Sequence, residues 1–248
     1  MAATIVSVIN QKGGTGKTTT TINLGSALQK LGKRVLLIDL DPQANLSYSL
    51  GITDPSCTLA DVFAGQHSLA DCLQESNGLF VAPGSNELVD IEISLVGQPE
   101  REKFLLHMLQ DQTQFDYVLI DCPPSLSLLT VNALTASQEV LIPLQMEVLT
   151  LQGLDQILNT VQRIKQAFNP QLRVKGIVVV MYDKRRKLSS EIEEYLQENV
   201  EEHIFQQRIR LNVKLAEAPS FGKSVLEYDS SSPGAKDYLA LAQEFLAL

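Results

Sequence analysis

Three observations predict an α/β fold with a doubly wound, mostly parallel sheet covered by helices on both faces. Short, mainly apolar runs recur along the chain, as Ile5–Ile9, Arg34–Asp39, Tyr117–Asp121, Glu139–Pro143 and Gly176–Met181. Stretches with helical spacing of apolar residues separate several of them. The first run opens through a glycine-rich loop straight into such a stretch. Strands that read as continuous apolar runs are buried on both faces, which requires a parallel sheet between two layers of helices.

Ile5–Ile9 is a short apolar run bounded by a glycine loop, as a buried parallel strand should be. A helix is expected from Gly16, with Ile22, Leu24, Ala27, Leu28 and Leu31 on its apolar face and Gly32 as its stop. Arg34–Asp39 completes a βαβ unit and places an acid at the strand's carboxyl end. Helices are expected over Thr150–Phe168 and Ser189–Val200, and a terminal amphipathic one over Ala235–Leu248, through Tyr238, Leu239, Leu241, Ala242, Phe245 and Leu246. DSSSPG, Asp229–Gly234, is turn chemistry. Gly51–Gln98 yields no clear elements. Without an internal repeat, low-complexity tract or linker, residues 1–248 are expected to form one domain.

Apolar residues at 44% and charged residues at 20% describe an ordinary globular chain. Ile5–Ile9 is too short for a signal-peptide core, and no apolar run reaches the roughly eighteen residues of a membrane span, so neither export nor anchoring is indicated. Cys57, Cys72 and Cys122 are an odd set without metal-ligand spacing; they suit a reducing cytoplasm and read as structural thiols, against a disulfide framework. A net charge of −9 opposes a general nucleic-acid coat. The charge is uneven: residues 173–223 carry ten Lys/Arg against eight Asp/Glu, so this stretch is +2 and the remainder −11.

The first loop, NQKGGTGKTTTT, fits the phosphate-loop pattern G-x-x-x-x-G-K-[ST] at Gly16, Lys17 and Thr18, but has Gln11 in place of the first glycine and a second lysine, Lys12, beside it. Gly13, Gly14 and Gly16 let backbone N–H groups curl around a phosphate at a helix N-terminus, with Thr15 and Thr19 in the same run. Lys17 supplies a point charge for the β- and γ-phosphates, and the Thr18 hydroxyl is placed for Mg²⁺. A bare glycine turn is the bland alternative. A dinucleotide site is a second one, since Asp39 stands where a ribose acid would, but the third glycine of G-x-G-x-x-G is a threonine and a lysine opens the helix. Nucleoside triphosphate fits better. Asp39 and Asp41 at one strand exit are placed to face the phosphate end together, and Asp121, followed by Cys122-Pro123-Pro124, looks like the acid that polarises the magnesium shell; any one of them alone could merely cap a helix.

KGGTGKTTTTINLG, LLIDLDPQAN, FDYVLIDCPPS and NVKLAEAPSFGKSVLEYDSSSPGAKDYLALAQE resemble, in order and spacing, the signature segments of the ParA family of deviant Walker ATPases, relatives of MinD and of nitrogenase iron protein. The matches run from Ile5 nearly to the C-terminus. The resemblance implies a P-loop NTPase fold, ATP and Mg²⁺ as cofactors, slow hydrolysis and an ATP-dependent sandwich dimer. It also implies a role for the extra lysine. Lys12 matches the signature lysine, which reaches the nucleotide of the other subunit and so makes triphosphate the condition for dimerisation. By the same carry-over, Asp41 orients the attacking water, Asp39 supports the magnesium region and Asp121 follows the γ-phosphate. An aspartate, at a pKa of about 4, is a weak base, so for Asp41 an orienting role comes before a proton-accepting one. Met181 and Pro219 occupy segments that flank the adenine; a plain core methionine is the other reading of Met181.

The resemblance further implies nonspecific DNA binding on the nucleoid by ATP dimers and a cargo adaptor of ParB type that stimulates hydrolysis; the cargo is a plasmid, a chromosome origin or a protein organelle such as a carboxysome. Lys184, Arg185, Arg186, Lys187, Arg210, Lys214 and Lys223 are the candidate phosphate contacts; a solvated charged face is the alternative. Leu211 stands where the family pattern has arginine, which removes one contact. A metal-cluster carrier or reductase component of the same superfamily needs cysteines placed to bridge a dimer, and no C-x-x-C pair occurs. The terminal helix lacks the basic polar face of a membrane anchor.

Overall fold

The computed structural model describes residues 3–183, Arg185, Ile192, 194–196 and 198–248. Seven strands among them form one sheet: β1 (Thr4–Val8), β2 (Val35–Asp39), β3 (Gln74–Ser76), β4 (Leu79–Ala82), β5 (Tyr117–Asp121), β6 (Glu139–Gln145) and β7 (Arg173–Val180). They lie in the order β3-β4-β2-β5-β1-β6-β7. All neighbours are parallel except β3 and β4, an edge hairpin turned at Asn77-Gly78, both of whose φ angles are positive. The expected doubly wound parallel sheet is therefore what the chain forms.

The helices are α1 (Lys17–Lys30), α2 (Asn45–Ser49), α3 (Leu59–Phe63), α4 (Leu69–Cys72), α5 (Leu88–Leu95), α6 (Phe104–Leu109), α7 (Leu128–Ala136), α8 (Val148–Ala167), α9 (Val213–Glu217), α10 (Val225–Tyr228) and α11 (Pro233–Ala247). Successive strand residues feed opposite cores. Leu36 and Ile38 face the layer containing α3 to α8, while Val35 and Leu37 face α1, α2, α10 and α11. Each fully buried aliphatic side chain of this kind contributes about 1.5–3 kcal/mol. Gly25 lets α1 lie close on β2, because a Cβ there would stand 2.7 Å from Leu37 Cδ2. This contact fixes α1 against the strand that carries Asp39.

Element limits shift by a few residues from the sequence reading. β6 continues two residues beyond Pro143, and β7 begins at Arg173, where Arg173 and Lys175 pair with the buried Glu139 of β6. Ser232 caps the terminal helix and Pro233 opens it, which explains DSSSPG. Of the helix expected over Ser189–Val200, the described positions 192, 194–196, 198 and 199 are helical. The reading of three separate thiols needs correction. Cys57 and Cys72 are joined as a disulfide with their Cα atoms 5.0 Å apart, because the short α3–α4 hairpin folds back on itself; Cys122 is free and buried.

Candidate nucleotide site

β1 and β5 are hydrogen-bonded neighbours, as are β5 and β2, so their carboxyl ends bring the glycine loop, Asp121 and Asp39 to one edge of the sheet. Asp39 and Asp121 are register partners across β2 and β5. The loop enters α1 through left-handed conformations at Gly14 (φ 74°) and Gly16 (φ 78°), which a side chain would strain. No side chain caps α1 and no acid lies in its first turn. Its first N–H groups and its dipole are therefore available to an anion.

Gly13, Gly14, Gly16, Lys17, Thr18, Thr19, Asp41, Gln43 and Met181 are among the residues that line a cavity of about 380 Å³. Lys17 is 7% exposed, and its Nζ donates to the Lys12 carbonyl at 3.4 Å. Burial lowers its pKa; the charges of Asp121 and Asp41 oppose that shift. Thr15 Oγ1 also donates to the Lys12 carbonyl and stiffens the loop. A bound phosphate would add its own counter-charge to those of Asp121 and Asp41.

The acids are held with equal specificity. Thr18 Oγ1 donates to Asp121 Oδ2 at 2.7 Å, while Asp121 Oδ1 is buried without a hydrogen-bond partner. Asp39 Oδ2 accepts from both the amide (2.8 Å) and the hydroxyl (2.6 Å) of Ser47, and its Oδ1 likewise has no partner. Burial pushes the Asp39 carboxyl up to about 6 and the Asp121 carboxyl well above the usual range, the latter raised further by Asp39. Two orphaned buried carboxylate oxygens beside a threonine hydroxyl are a donor set suited to a hard divalent cation. Among the described residues no group of three His, Cys, Asp or Glu side chains is placed to hold a metal ion. This agrees with Mg²⁺, which takes one or two carboxylates and completes its shell with water and phosphate. Asp41, 7% exposed, lines the cavity with Oδ1 accepting from the Gln43 amide at 3.0 Å.

Lys12 differs from Lys17. Its side chain is 44% exposed and is not among those lining the cavity; its Nζ is 2.5 Å from Glu147 Oε2 at the start of α8. Met181 has a left-handed φ of 53° and lines both the phosphate cavity and an adjoining, mostly apolar pocket of about 140 Å³, together with Gly16, Thr19, Leu215 and Tyr238. Pro219 lies apart, in a narrow crevice shared with Thr18, Thr19 and Lys223. Of the residues expected to meet nucleotide, the structure gathers all but Lys12, Thr15, Pro219 and the two most deeply buried acids onto the phosphate cavity itself.

Of the candidate DNA contacts, Lys184, Arg186 and Lys187 lie outside the described residues. Arg185 is bidentate to Asp183, and Lys214 pairs with Glu217 at 2.8 Å. Arg210 makes a forked contact with the buried Asp237 and lines the apolar pocket, so its guanidinium serves the fold. Lys223 is exposed. Sequence reasoning missed Ser47, Glu147 and Gln145, whose amide bridges the Gly14 carbonyl and Met181. Their roles follow only from where loops meet in space, and no local pattern signals them.

Residues 3–174 match a family model described as an AAA domain. The chain is 43% identical to the chromosome partitioning protein ParA of Caulobacter vibrioides over 98% of its length and 94% of that protein's. It is 42% identical to the sporulation initiation inhibitor protein Soj of Bacillus subtilis, over 98% of each. Among solved structures it superposes on a Mycobacterium smegmatis cobyrinic acid a,c-diamide synthase with bound ADP and magnesium at a TM-score of 0.87 and 33% identity, covering 98% of this chain and 94% of the other.

Proposed function

This chain belongs to the ParA family of ATPases, and we propose that it works as an ATP-operated positioning switch in the cytoplasm. In this reading ATP binds in the glycine-loop cavity with Mg²⁺, two loaded protomers close face to face, and the dimer binds nucleoid DNA without sequence preference. A cargo adaptor of ParB type then stimulates slow hydrolysis and release.

The observation that carries the reading is the division of labour between two lysines on one loop. Lys17 is buried in the phosphate cavity, whereas Lys12 projects from its rim to Glu147. A lysine in that position is free to exchange a surface carboxylate for the phosphates of a facing subunit, because an exposed ion pair is worth only about 0–1 kcal/mol. Dimerisation then depends on the charge of the nucleotide it meets.

Within one protomer the loop amides and Lys17 would hold the β- and γ-phosphates, and the Met181 pocket would receive the base. Thr18, Asp121 and Asp39 would hold Mg²⁺, which when bound offsets phosphate charge. Asp41, oriented by the Gln43 amide, would position the attacking water. Hydrolysis without a strong base is slow, which leaves room for stimulation by a partner.

One observation favours a second reading, an ATPase of the same superfamily without DNA binding, such as a metal-cluster carrier. Three of the four described basic candidates are already paired with acids. Against the cluster carrier, Cys57 and Cys72 are bonded to each other and Cys122 is fully buried. The deciding experiment is binding of the Asp41→Ala variant to a random-sequence duplex with ATP and with ADP over a salt series. Binding with ATP alone, weakening steeply with salt, is expected. A dimer that forms with ATP yet ignores DNA would overturn the nucleoid reading.

A further inference from the structure

A site apart from the phosphate cavity remains: the Cys57–Cys72 pair. Cys57 precedes α3 and Cys72 ends α4, their Cα atoms are 5.0 Å apart, and both side chains are buried, Cys57 at 6% and Cys72 at 2% exposure. That Cα separation lies in the range that a disulfide spans. The hairpin does not need the bond to form. Thr58 and Ser68 each close a capping box with Asp61 and Asp71, and Leu59, Val62 and Leu69 are buried in the core. Reduced, two thiols would fill the same space as small apolar side chains.

The pair sits behind one wall of an open groove of about 680 Å³, whose lining includes Gln43, Asn45, Pro55, Thr58, Ser85 and Glu87. Gln43 and Asn45 also line the phosphate cavity. From Thr58 and Leu59, next to Cys57 in the chain, hydrogen bonds joined by the 83–85 backbone lead to Asp39. The Ser85 hydroxyl meets Thr58 Oγ1 at 3.2 Å, and the Leu59 amide donates to the Pro83 carbonyl at 2.8 Å. The Gly84 amide donates to Ser47 Oγ at 3.1 Å, and Ser47 Oγ donates to Asp39. There is no slack at the last step, since a Cβ on Gly84 would stand 2.5 Å from the Asp39 carbonyl oxygen.

We propose that Cys57 and Cys72 are a reversible oxidation site whose disulfide fixes the 83–87 loop beside the nucleotide cavity. In a reducing compartment a disulfide of this kind is transient and reports on redox state. The oxidant is a low-molecular-weight disulfide, RSSR. The Cys57 thiolate, the more exposed of the two, attacks one sulfur of RSSR to give Cys57–S–S–R and one RS⁻. The Cys72 thiolate attacks the Cys57 sulfur and expels the second RS⁻. Two protein thiols lose two electrons and two protons, and RSSR becomes two RSH. Reduction is the same exchange run backwards.

The test uses the full chain without nucleotide, equilibrated in buffers of reduced and oxidised glutathione. Free thiols are counted after denaturation and the bonded peptides identified by mass spectrometry. A fall from three free thiols to one in a single step, with Cys57 linked to Cys72 and Cys122 untouched, is expected. Three thiols in every buffer, or bonding that involves Cys122, would overturn the proposal. Hydrogen exchange at the Leu59 and Gly84 amides then reads the coupling, with about tenfold slower exchange expected in the oxidised form. Equal rates in both forms would refute the link to the 83–87 loop. Cys57→Ser and Cys72→Ala should each retain two free thiols throughout and lose the exchange response; if one misfolds, the other serves. Neither readout requires nucleotide, so failure of the ATPase reading would leave this result intact.

Discussion

Replacing Asp39 by asparagine should stabilise the nucleotide-free protein while impairing its use of Mg²⁺. The Asp39 carboxylate is fully buried, is opposite Asp121 in register, and has one oxygen without a hydrogen bond. Burial raises its pKa from 3.8 to about 6 in spite of two hydrogen bonds from Ser47. That shift of roughly 2 units corresponds to about 3 kcal/mol. Between the two values the folded chain holds a proton that the unfolded chain releases. Stability from this group is thus fully present below about pH 4 and lost as pH rises through about 6. Asparagine can still accept from Ser47 and carries no charge to desolvate. At about pH 7.5 the variant should be more stable by up to roughly 3 kcal/mol, raising Tm by about 5–10 °C for a chain of this size. Near pH 4 the gap should close. The assay is urea and thermal unfolding from about pH 4 to 8 with EDTA present. A variant less stable than wild type at pH 7.5, or a difference that ignores pH, would refute the reasoning. Adding ATP and Mg²⁺ should stabilise wild type more than the variant, because only wild type gains a cation partner for the buried charge.

Lys17→Ala removes the buried cation of the glycine-loop cavity, and nucleotide affinity measured by calorimetry should fall about a hundredfold; affinity within a few-fold of wild type would contradict the phosphate-loop assignment. Lys12→Ala should keep nucleotide affinity within about twofold yet lose ATP-dependent dimerisation in sedimentation, since exposed charges matter little within one protomer. Glu147→Gln frees Lys12 from its partner in the same chain, so the ATP concentration at half-dimerisation should drop; an unchanged value would show that the ion pair does not restrain it. Arg210→Ala strips the guanidinium from the buried Asp237 and should cost about 2–3 kcal/mol in urea unfolding. Lys223→Ala should be neutral in stability and show its effect only in DNA affinity.

The parallel sheet was legible because buried parallel strands have little choice of composition: β1, β2 and β5 are mostly apolar, with only Ser7 polar in their interiors, and they end where chemistry begins, at the loop, Asp39 and Asp121. The β3–β4 hairpin was missed although Asn77-Gly78 is a strong turn signal. β3 is an edge strand whose residues, Gln74-Glu75-Ser76, carry no apolar alternation, and β4 spans only four residues. Glycine spacing revealed the cavity for a similar reason, since Gly14 and Gly16 are backbone requirements visible in one stretch of chain. Glu147 and Ser47 were not legible: Lys12 and Glu147 are 135 residues apart, and Ser47 matters only because α2 returns its hydroxyl to Asp39.

The commitments of individual cations bear on the −9 charge. Arg210 is spent on a buried carboxylate and cannot move without cost, whereas the exposed pairs Arg185–Asp183 and Lys214–Glu217 can open for a phosphate at about 0–1 kcal/mol each. The described candidates would therefore add little DNA affinity in a single protomer. A dimer doubles the available contacts on one surface, and counterion release enters as a power of the number of contacts, so affinity should rise far more than twofold on dimerisation. If the proposed DNA binding holds, a chain whose described candidate cations are mostly paired, with an acidic remainder, would gain a sharper ATP dependence of DNA binding than a strongly basic one, because its monomer would have little affinity to lose. The salt slope of the Asp41→Ala dimer should accordingly be about twice that of the Lys12→Ala monomer; equal slopes would mean that dimerisation adds no phosphate contacts and that the switch acts on another surface.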